Sequence, residues 1–263
     1  MVTSLNRKYS RHDCAEFDLI ASCTTGTDHI DNGDVPLISL KGDTDFLKNI
    51  HATAEHTFAL ILALIRKVPA AFEDVKAGNW DRDSFRGTEL YGKTLGVIGY
   101  DGRVAQQVIK IADGFGMFVH GVDIIPLKNI ESDVTYKETL EYVLKTSDII
   151  TVHVPLNSET EGMFGPEQFA LMKPTAYFIN TSRGAVVDEA ALWYALAIKR
   201  IAGAAIDVCC GEPNLLNPSL WQYAEEENNL IITPHVGGNT AESRRATQLY
   251  IAEKILDYYK RGG

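Results

Sequence analysis

The sequence predicts an α/β protein built on a doubly wound parallel sheet. From about residue 92 onward, short apolar runs bounded by turn residues alternate with segments of helical periodicity. Such alternation is typical of parallel strands joined by crossover helices. We expect strands at 94–98, 118–122, 149–154, 176–179, 203–208 and 230–233. We expect later helices at about 138–146, 166–172 and 188–199, the last capped by Asp188.

The stretch from Gly92 to Asp123 has the order of a dinucleotide-binding unit. A buried strand, a glycine-rich turn, a helix and a second strand follow one another, and Asp123 closes the stretch. In such a unit, small residues let the backbone approach a pyrophosphate, and the terminal acid accepts hydrogen bonds from the adenosine ribose. Because Ile124, Ile125 and Pro126 include no arginine to meet a 2′-phosphate, we expect NAD rather than NADP.

The glycine turn departs from the usual G-x-G-x-x-G pattern by one residue. Gly99, Gly102 and Ala105 supply the small residues, and Asp101 stands between the two glycines as an insertion. Glycine turns also occur in ordinary βα loops, and on the turn alone that alternative stays open. The flanking strands, the helix and Asp123 favour the dinucleotide interpretation.

Composition and charge argue against several classes of function. Hydrophobic residues at 45% and charged residues at 23% are ordinary for a globular protein. The net charge of -10 argues against nucleic acid or an anionic membrane as the main partner. We find neither a signal peptide nor an apolar run long enough to span a bilayer. The four cysteines have no C-x-x-C spacing, so we expect reduced thiols, a cytoplasmic protein and no metal site.

The first fifty residues give weak signals. Residues 17–21 and 35–40 are expected to form two short strands. Nothing before them is patterned strongly enough to complete a sheet, so residues 1–50 are interpreted as the end of a domain rather than a whole one.

Two further helices are expected outside the alternating region. The helix at 53–68 is apolar on nearly every face, so it must be buried in a core or against another subunit. Residues 73–91 are interpreted as a connection or a lid. The last helix is expected at 241–260, with Asn239 and Glu242 at capping spacing.

A cation, an acid and an imidazole follow three successive predicted strands. Arg183 lies just past the strand at 176–179, Glu212 follows the next strand after Asp207, and His235 follows the last. Any one of them alone is more often structural. The carboxyl ends of strands in a doubly wound sheet share one edge, where ligands bind, so the three together favour a functional site.

This set of residues suits hydride transfer at a hydroxyl-bearing carbon. Histidine serves as base in oxidation and as acid in reduction because its pKa lies near neutrality. Glu212, if bonded to His235, would orient the ring and favour its charged form. Arg183 can hold a carboxylate through a forked, charge-assisted contact.

At these residues the sequence resembles the D-isomer-specific 2-hydroxyacid dehydrogenases, the family that includes D-3-phosphoglycerate dehydrogenase. The matching segments are HVPLNSETEGMFGPEQFALMKPTAYFINTSRGAVVDEAAL (153–192), AGAAIDVCCGEP (202–213) and NLIITPHVGGNTAES (229–243). The separations of 29 positions from Arg183 to Glu212 and 23 from Glu212 to His235 also fit. The resemblance covers nearly the whole chain from about residue 17.

The resemblance implies a role for each matching residue. Arg183 would bind substrate, His235 would be the acid/base, and Glu212 would be its partner. The implied cofactor-binding residues are Thr25, Gly99, Gly102, Arg103, Val104, Asp123, Val154, Pro155, Thr181, Ser182, Asp207, His235, Gly237 and Gly238. The implied substrate-binding residues are Thr25, Gly26, Arg183 and His235. Asp207 would contact the nicotinamide side of NAD.

The resemblance also implies a domain organisation. Residues 51–238 would form a Rossmann-type NAD-binding domain, and residues 1–50 would be the remnant of an incomplete flavodoxin-like substrate domain. Residues 239–263 would form a helix that returns to the substrate domain. The helix at 53–68 matches the family's dimer-interface helix, which implies a homodimer.

Two functions from different classes follow from this interpretation. The first is an NAD-dependent dehydrogenase that interconverts a small D-2-hydroxy acid and its 2-keto acid. The second is a catalytically weak or inactive NAD(H)-binding dimer, a sensor or scaffold. It is considered because the first strands and helices of the substrate lobe are not found in the sequence.

Overall fold

The chain divides into two compact units. The computed structural model describes residues 2–3, 7–123, 139–214 and 217–262. The smaller unit comprises Met1–Ala52 and Gly238–Gly263, and the larger comprises Thr53–Gly237. The boundaries expected from the sequence lay after residues 50 and 238.

The smaller unit contains a three-stranded parallel sheet. Its N-terminal elements are β1 (Val2–Thr3), α1 (Arg11–Cys14), β2 (Ile20–Ser22), β3 (Leu37–Ile38) and α2 (Thr44–Leu47). The sheet order is β1-β2-β3, with Val2 paired to Ala21 and Ala21 to Ile38. The expectation that only two strands form here was therefore wrong. Two residues of strand are too few to give a periodic pattern.

The larger unit begins with two helices where the sequence predicted one. They are α3 (Ala52–Ile65) and α4 (Val68–Lys76). Lys67, with φ of 54°, turns the chain between them, and Pro69 lies in the first turn of α4. Proline is tolerated there because the first-turn amides need no helical partner. Residues 73–76, interpreted from the sequence as part of a connection or a lid, belong to α4.

In its described residues, the rest of the larger unit is one six-stranded parallel sheet with helices between the strands. In chain order its elements are β4 (Thr94–Ile98), α5 (Arg103–Gly114), β5 (Phe118–Val122), α6 (Leu140–Thr146), β6 (Ile149–Val152), α7 (Pro166–Leu171), β7 (Tyr177–Asn180), α8 (Glu189–Ala197), β8 (Gly203–Ile206), α9 (Pro218–Glu226) and β9 (Leu230–Ile232). The described strands have the order β5-β4-β6-β7-β8-β9. The prediction of a doubly wound parallel sheet is confirmed. Asp188 caps α8 as expected, whereas α9 was missed.

Both faces of this sheet are buried, so the side chains on each face are mostly apolar. Ile150 and Phe178 belong to one apolar cluster, whereas Ile149 and Ile179 belong to a second cluster that includes α3 and α5. Successive strand residues point to opposite faces, so both sets must be apolar when helices cover both sides. The strands consequently appear in the sequence as continuous apolar runs.

The strand register brings the carboxyl ends of the strands to a common edge. Ile98 pairs with Val152, Val152 with Asn180, Asn180 with Ile206, and Ile206 with Ile232. The loops that follow β4, β6, β7, β8 and β9 therefore leave the sheet side by side. β5 lies on one side of β4, and the next strand along the chain, β6, lies on its other side. The direction in which strands are added therefore reverses beside β4, and sheets of this kind bind ligands at such a point.

The last helix, α10 (Ala241–Lys260), belongs to the smaller unit. Thr240 caps it by accepting a hydrogen bond from the Ser243 amide, so the predicted cap at Asn239 was off by one residue. Tyr250 stacks on Phe46, with ring centroids 4.0 Å apart. Lys254 donates to Asp43 at 2.6 Å, and this half-buried ion pair helps to hold the helix against the N-terminal segment.

Candidate active site

The loop after β7 holds Arg183 through a network around Asn180. Asn180 Oδ1 accepts hydrogen bonds from the Ser182 amide and hydroxyl at 2.9 and 2.8 Å. Its Nδ2 donates to the Arg183 carbonyl at 3.0 Å. Arg183 Nη1 donates to the Ser182 carbonyl at 2.8 Å, and the side chain is half-buried. A buried strand residue thus orients the loop that carries the cation.

Gly184 brings the loop after β7 into contact with the loop after β8. A Cβ atom at Gly184 would lie 2.5 Å from the Cys210 amide nitrogen, and the Cys209 carbonyl carbon would also be too close. Contacts this short do not occur for real Cβ atoms, so only glycine fits. This approach fixes the position of Arg183 relative to the loop that carries Glu212.

Glu212 and His235 form a direct hydrogen bond. Glu212 Oε1 lies 2.6 Å from His235 Nδ1, and the two side chains are 31% and 20% exposed. His235 has φ of 52°, a left-handed conformation that is uncommon for residues other than glycine. Its amide lies 2.8 Å from the Asp207 carbonyl oxygen, which accepts its hydrogen bond and so holds the backbone in this conformation.

Asp207 anchors the segment that carries His235. Its Oδ1 accepts from the Thr233 hydroxyl at 2.6 Å and the Val236 amide at 2.9 Å, and its Oδ2 accepts from the Gly237 amide at 2.7 Å. Burial alone would raise the pKa of Asp207, but hydrogen bonds from His56, Thr233 and the two amides together lower it below its usual value. Asp207 is therefore ionised at neutral pH. Its predicted contact with the nicotinamide stays a prediction.

Helix α3 supplies two site contacts that sequence reasoning missed. His56 Nε2 lies 3.2 Å from Asp207 Oδ1 and 3.1 Å from Thr233 Oγ1. The buried Thr57 hydroxyl lies 2.9 Å from that of Thr181, the residue predicted to line the nicotinamide pocket. The sequence signal was that the polar residues of this helix, Thr53, Glu55, His56 and Thr57, all lie in its first turns and precede an apolar run.

The loop after β8 contains the two adjacent cysteines, and Glu189 on α8 contacts this loop. The buried Glu189 carboxylate accepts a hydrogen bond from the Cys210 amide at 2.6 Å, and burial raises its pKa. Burial, reinforced by the Glu189 charge, raises the pKa of Cys209 to about 12 and that of Cys210 to about 11. All four cysteines of the chain are free thiols.

The glycine turn after β4 lies against the end of β6. A Cβ atom at Gly99 would lie 2.8 Å from the His153 carbonyl oxygen, and one at Gly102 would lie 2.9 Å from the Gly99 carbonyl oxygen. Gly102 is the N-cap of α5 and has no side chain to cap the helix. Arg103, the first residue of α5, is half-buried, and burial lowers its pKa from the usual value for arginine.

The inserted Asp101 contacts the predicted ribose ligand. Its backbone amide donates to Asp123 Oδ2 at 2.9 Å, while its side chain is exposed. Asp123 follows the end of β5, as predicted, and is half-buried. Ile124, Ile125 and Pro126, from which NAD rather than NADP was expected, lie outside the described residues.

The remaining predicted ligand-binding residues are divided between the two units. Val154 and Pro155 follow β6 at the carboxyl edge of the sheet, and Val104 lies in the first turn of α5. Thr25 and Gly26 follow β2 in the smaller unit, and Gly238 begins the C-terminal part of that unit. Among the described residues, no group of three histidine, cysteine or acidic side chains could hold a metal ion.

The sequence model of the D-isomer specific 2-hydroxyacid dehydrogenase family, NAD binding domain, matches residues 58–237. This match covers more than half of the chain. The chain belongs to this family. The parallel doubly wound fold agrees with the resemblance noted from the sequence motifs.

Relatives of the dehydrogenase family resemble the chain in sequence and in structure. The D-3-phosphoglycerate dehydrogenase of Methanocaldococcus jannaschii is 45% identical over 206 residues, which are 78% of this chain and 38% of that protein. The chain spans about two-fifths of the length of the curated relatives it matches. A D-lactate dehydrogenase from Aquifex aeolicus, solved with NAD and lactic acid, has a TM-score of 0.83 and 29% identity. That match covers 99% of this chain and 82% of the other.

A second solved structure with a different cofactor also resembles the chain. An acyclic imino acid reductase, in complex with NADPH and D-Arg, has a TM-score of 0.78 and 28% identity, covering 99% of this chain and 81% of the other. Both NAD and NADPH therefore occur among the structural neighbours. Asp123, the residue after β5, is the position at which the choice between them can be tested.

The geometry of the turn after β4 fits the cofactor of the dehydrogenase family. The two glycines allow the turn to pack against the backbone at the end of β6, and α5 begins at Arg103 after an N-cap, Gly102, that has no side chain. A helix N-terminus of this kind suits an anionic pyrophosphate, and the acid after β5 suits a ribose. In the part of the chain that is described, we find no helix with the length and apolarity needed to cross a membrane.

Proposed function

We propose that this chain is an NAD-dependent oxidoreductase that interconverts a small D-2-hydroxy acid and its 2-keto acid. The observation that carries this proposal is the 2.6 Å hydrogen bond between Glu212 and His235, on loops that follow neighbouring strands. Family membership supports the reaction class. The substrate is proposed only as a class because the matched region is the NAD-binding domain.

His235 would move the proton of the substrate hydroxyl. A carboxylate only accepts hydrogen bonds, so in this pair His235 Nδ1 would carry the hydrogen, and Nε2 would be the nitrogen that exchanges a proton with substrate. In oxidation Nε2 takes the hydroxyl proton, and in reduction it returns a proton to the new alkoxide oxygen. Glu212 holds the ring in this tautomer and stabilises the imidazolium formed in oxidation.

Arg183 would bind the substrate carboxylate and polarise the adjacent carbonyl. A guanidinium provides forked donors and keeps its charge throughout the reaction. The bond from Arg183 Nη1 to the Ser182 carbonyl lies along the loop that Asn180 orients. This arrangement limits the motion of the long side chain, so less conformational entropy is lost when substrate binds.

NAD would supply the hydride acceptor for oxidation, and NADH the donor for reduction. Gly99 and Gly102 would let the backbone approach the pyrophosphate at α5, and Asp123 would accept hydrogen bonds from the ribose. Thr181 and Ser182 after β7, with Asp207, would line the nicotinamide end. This assignment is supported by the shared carboxyl edge of the strands on which these residues end.

The direct test is NADH oxidation with a panel of glyoxylate, hydroxypyruvate, pyruvate and 2-oxoglutarate, together with NADH affinity by calorimetry. We expect turnover with at least one member of the panel and binding of NADH in the absence of substrate. Tight NADH binding with no turnover on the panel, or on its phosphorylated analogues, would contradict the enzyme and favour an NAD(H)-binding role.

Variants of the dyad separate chemistry from binding. We expect His235→Ala to lower kcat by about 10²–10⁴-fold, the usual contribution of a general acid/base, with NADH affinity little changed. Glu212→Gln, which loses the charge but keeps an acceptor, is expected to lose less. His120→Ala removes a half-buried histidine on β5, at the opposite edge of the described sheet, and serves as the control. Full activity of the His235→Ala protein would exclude the role assigned to His235.

We also propose that the protein is a homodimer. The apolar residues of α3 are mostly buried within the larger unit itself, so their apolarity alone requires no partner. Helix α4, however, exposes Val68, Phe72 and Val75 at helical spacing, and they are 54%, 61% and 52% exposed. Light scattering should give a dimer for the wild type and a monomer for Phe72→Glu. A monomeric wild type would refute this part of the proposal.

A further inference from the structure

We propose that His56 is a positioning residue for His235, acting through Asp207 and Thr233. This inference rests on the proposed function, because it assigns His56 a part in the same reaction. His56 lies on α3, 151 residues before Asp207 and 179 before His235 along the chain.

The geometry places one ring nitrogen of His56 between two groups of the His235 segment. His56 Nε2 lies 3.2 Å from Asp207 Oδ1 and 3.1 Å from Thr233 Oγ1. The Thr233 hydroxyl itself lies 2.6 Å from the same carboxylate oxygen. The three groups therefore form a closed triangle of polar contacts in which the acid is 2% exposed and the histidine 20%.

The chemistry of these groups fixes the direction of the hydrogen bonds. An ionised carboxylate only accepts, so the Thr233 hydroxyl donates to Asp207. His56 Nε2 must then carry a hydrogen and donate to Asp207, because a lone pair on Nε2 would face another lone pair. The carboxylate thus receives donors from α3, from the end of β9 and from two backbone amides of the His235 segment.

A second contact joins the first turns of α3 to the same segment. A Cβ atom at Gly237 would lie 3.5 Å from Thr53 Cγ2 and 3.6 Å from His56 Cδ2, as well as 2.9 Å from Asp207 Oδ2. Gly237 is buried, so helix and segment pack without intervening solvent at this point. The helix therefore supports the segment by packing as well as by the hydrogen bond.

His235 needs this support because its backbone conformation is unfavourable. With φ of 52°, His235 has a left-handed conformation that is sterically strained for a residue other than glycine. The bond from the His235 amide to the Asp207 carbonyl, and those from the Val236 and Gly237 amides to its carboxylate, oppose relaxation of the segment. Asp207 can keep these three amide hydrogen bonds only while its own position is fixed. His56 on α3 contacts its carboxylate and helps to fix that position.

The test compares two substitutions at His56 that differ in the donor. His56→Gln places an amide nitrogen near the position of Nε2 and keeps a donor for Asp207. His56→Leu has a similar volume and keeps none. A misplacement of about 1 Å at a reacting group can cost about 10²-fold, so we expect His56→Leu to lower kcat by about 10- to 100-fold. His56→Gln should retain most of the turnover, and NADH affinity should change little in both.

His120→Leu is the matched control for the loss of a half-buried imidazole. His120 Nδ1 lies 2.9 Å from the Thr146 hydroxyl, so this change also breaks a histidine–threonine contact, but at the opposite edge of the described sheet. It should leave kcat within error of the wild type even if it lowers the melting temperature. Equal loss of kcat in His56→Leu and His120→Leu would overturn the proposal.

Hydrogen exchange requires no turnover, so it tests the role of His56 independently of the proposed function. Native-state hydrogen exchange should accelerate at the Val236 and Gly237 amides in His56→Leu by about 10-fold or more, and not in His56→Gln. Amides in β7 should be unaffected, because their ladder does not involve His56. If the wild type shows no turnover on any substrate, the proposed function fails, and this exchange pattern alone decides the role of His56. Unchanged exchange at both amides would overturn it.

Discussion

The backbone amide of Asp101 donates a hydrogen bond to the carboxylate of Asp123, with 2.9 Å between nitrogen and Oδ2. Asp101 is the residue inserted in the glycine turn, and Asp123 is the acid that follows β5. The insertion therefore brings a donor to the acid, and its own carboxylate lies in an exposed side chain. Asp101, whose charge the sequence places beside the pyrophosphate turn, is thus bonded through its backbone amide to Asp123, the predicted ribose ligand.

Asp123 should decide the choice between NADH and NADPH. A carboxylate accepts from a ribose hydroxyl and repels a 2′-phosphate, so we expect NADH to bind more tightly. Asp123→Asn keeps an acceptor for the Asp101 amide but loses the charge. It should weaken NADH by about 10-fold, which corresponds to about 1.4 kcal/mol, and should strengthen NADPH.

Fluorescence titration of both cofactors measures this effect. Asp113→Asn, at an exposed position near the end of α5, is the control for loss of one surface charge. Wild-type protein that binds NADPH as tightly as NADH would contradict the assignment of Asp123.

Substitution of Gly184 should damage both stability and turnover. A methyl group there would collide with the backbone at Cys209 and Cys210, and overpacking of this kind typically costs 1–3 kcal/mol, about what we expect for Gly184→Ala. The displaced loop carries Glu212, so kcat should fall as well. Gly114→Ala is the matched control, because a Cβ atom at that helical position meets nothing within 4 Å. It should be neutral or stabilising by about 0.5–1 kcal/mol.

Thermal melting and steady-state kinetics on the two glycine variants measure this effect. A Gly184→Ala protein as stable and active as Gly114→Ala would show that the two loops are not held by this contact.

The stability supplied by Asp207 should depend on pH in the acid range. Its pKa is lowered on folding, because the hydrogen bonds to its carboxylate outweigh burial. The ionised group therefore stabilises the fold above its unfolded pKa of about 3.9, and this contribution is lost as the pH falls through the folded value. Asp207→Asn should melt at a lower temperature than the wild type at pH 7, and the difference should shrink toward pH 3.

Calorimetric melting of the wild type, Asp207→Asn and the surface control Asp113→Asn across this range gives the comparison. A difference between wild type and Asp207→Asn that grows as the pH falls would reverse the sign of this argument.

Cys209 and Cys210 should react slowly with thiol reagents at neutral pH. Burial and the Glu189 charge raise their pKa values to about 12 and about 11, above the usual value of about 8.5 for cysteine. Because the thiolate is the reactive species, alkylation in the native state should be about 10²-fold slower than for a free cysteine.

Peptide mapping after timed alkylation distinguishes the four cysteines, and the same protein in denaturant should label at all of them. Rapid labelling of Cys210 in the native protein would show that its thiol is ionised more readily than its surroundings imply.

Much of the larger unit could be predicted from the sequence because its elements are marked locally. The strand at 94–98 and the helix at 241–260 have the predicted bounds, and Asp188 caps α8. These elements have strong periodicity or a cap within a few residues. The short strand β1 and the helix α9 were missed, because the first is two residues long and the second lies in a polar segment that gives a weak periodic pattern.

The sequence by itself determined the doubly wound sheet, the glycine turn and the positions of Arg183, Glu212 and His235 along the chain, because strand alternation and motif spacing are local properties. Only the tertiary structure decided the contacts of His56, the close approach at Gly184 and the bond from Asp101 to Asp123. These contacts join residues 22 to 177 positions apart. No local pattern specifies such pairs, because they form only when the strand register and helix packing bring the loops together.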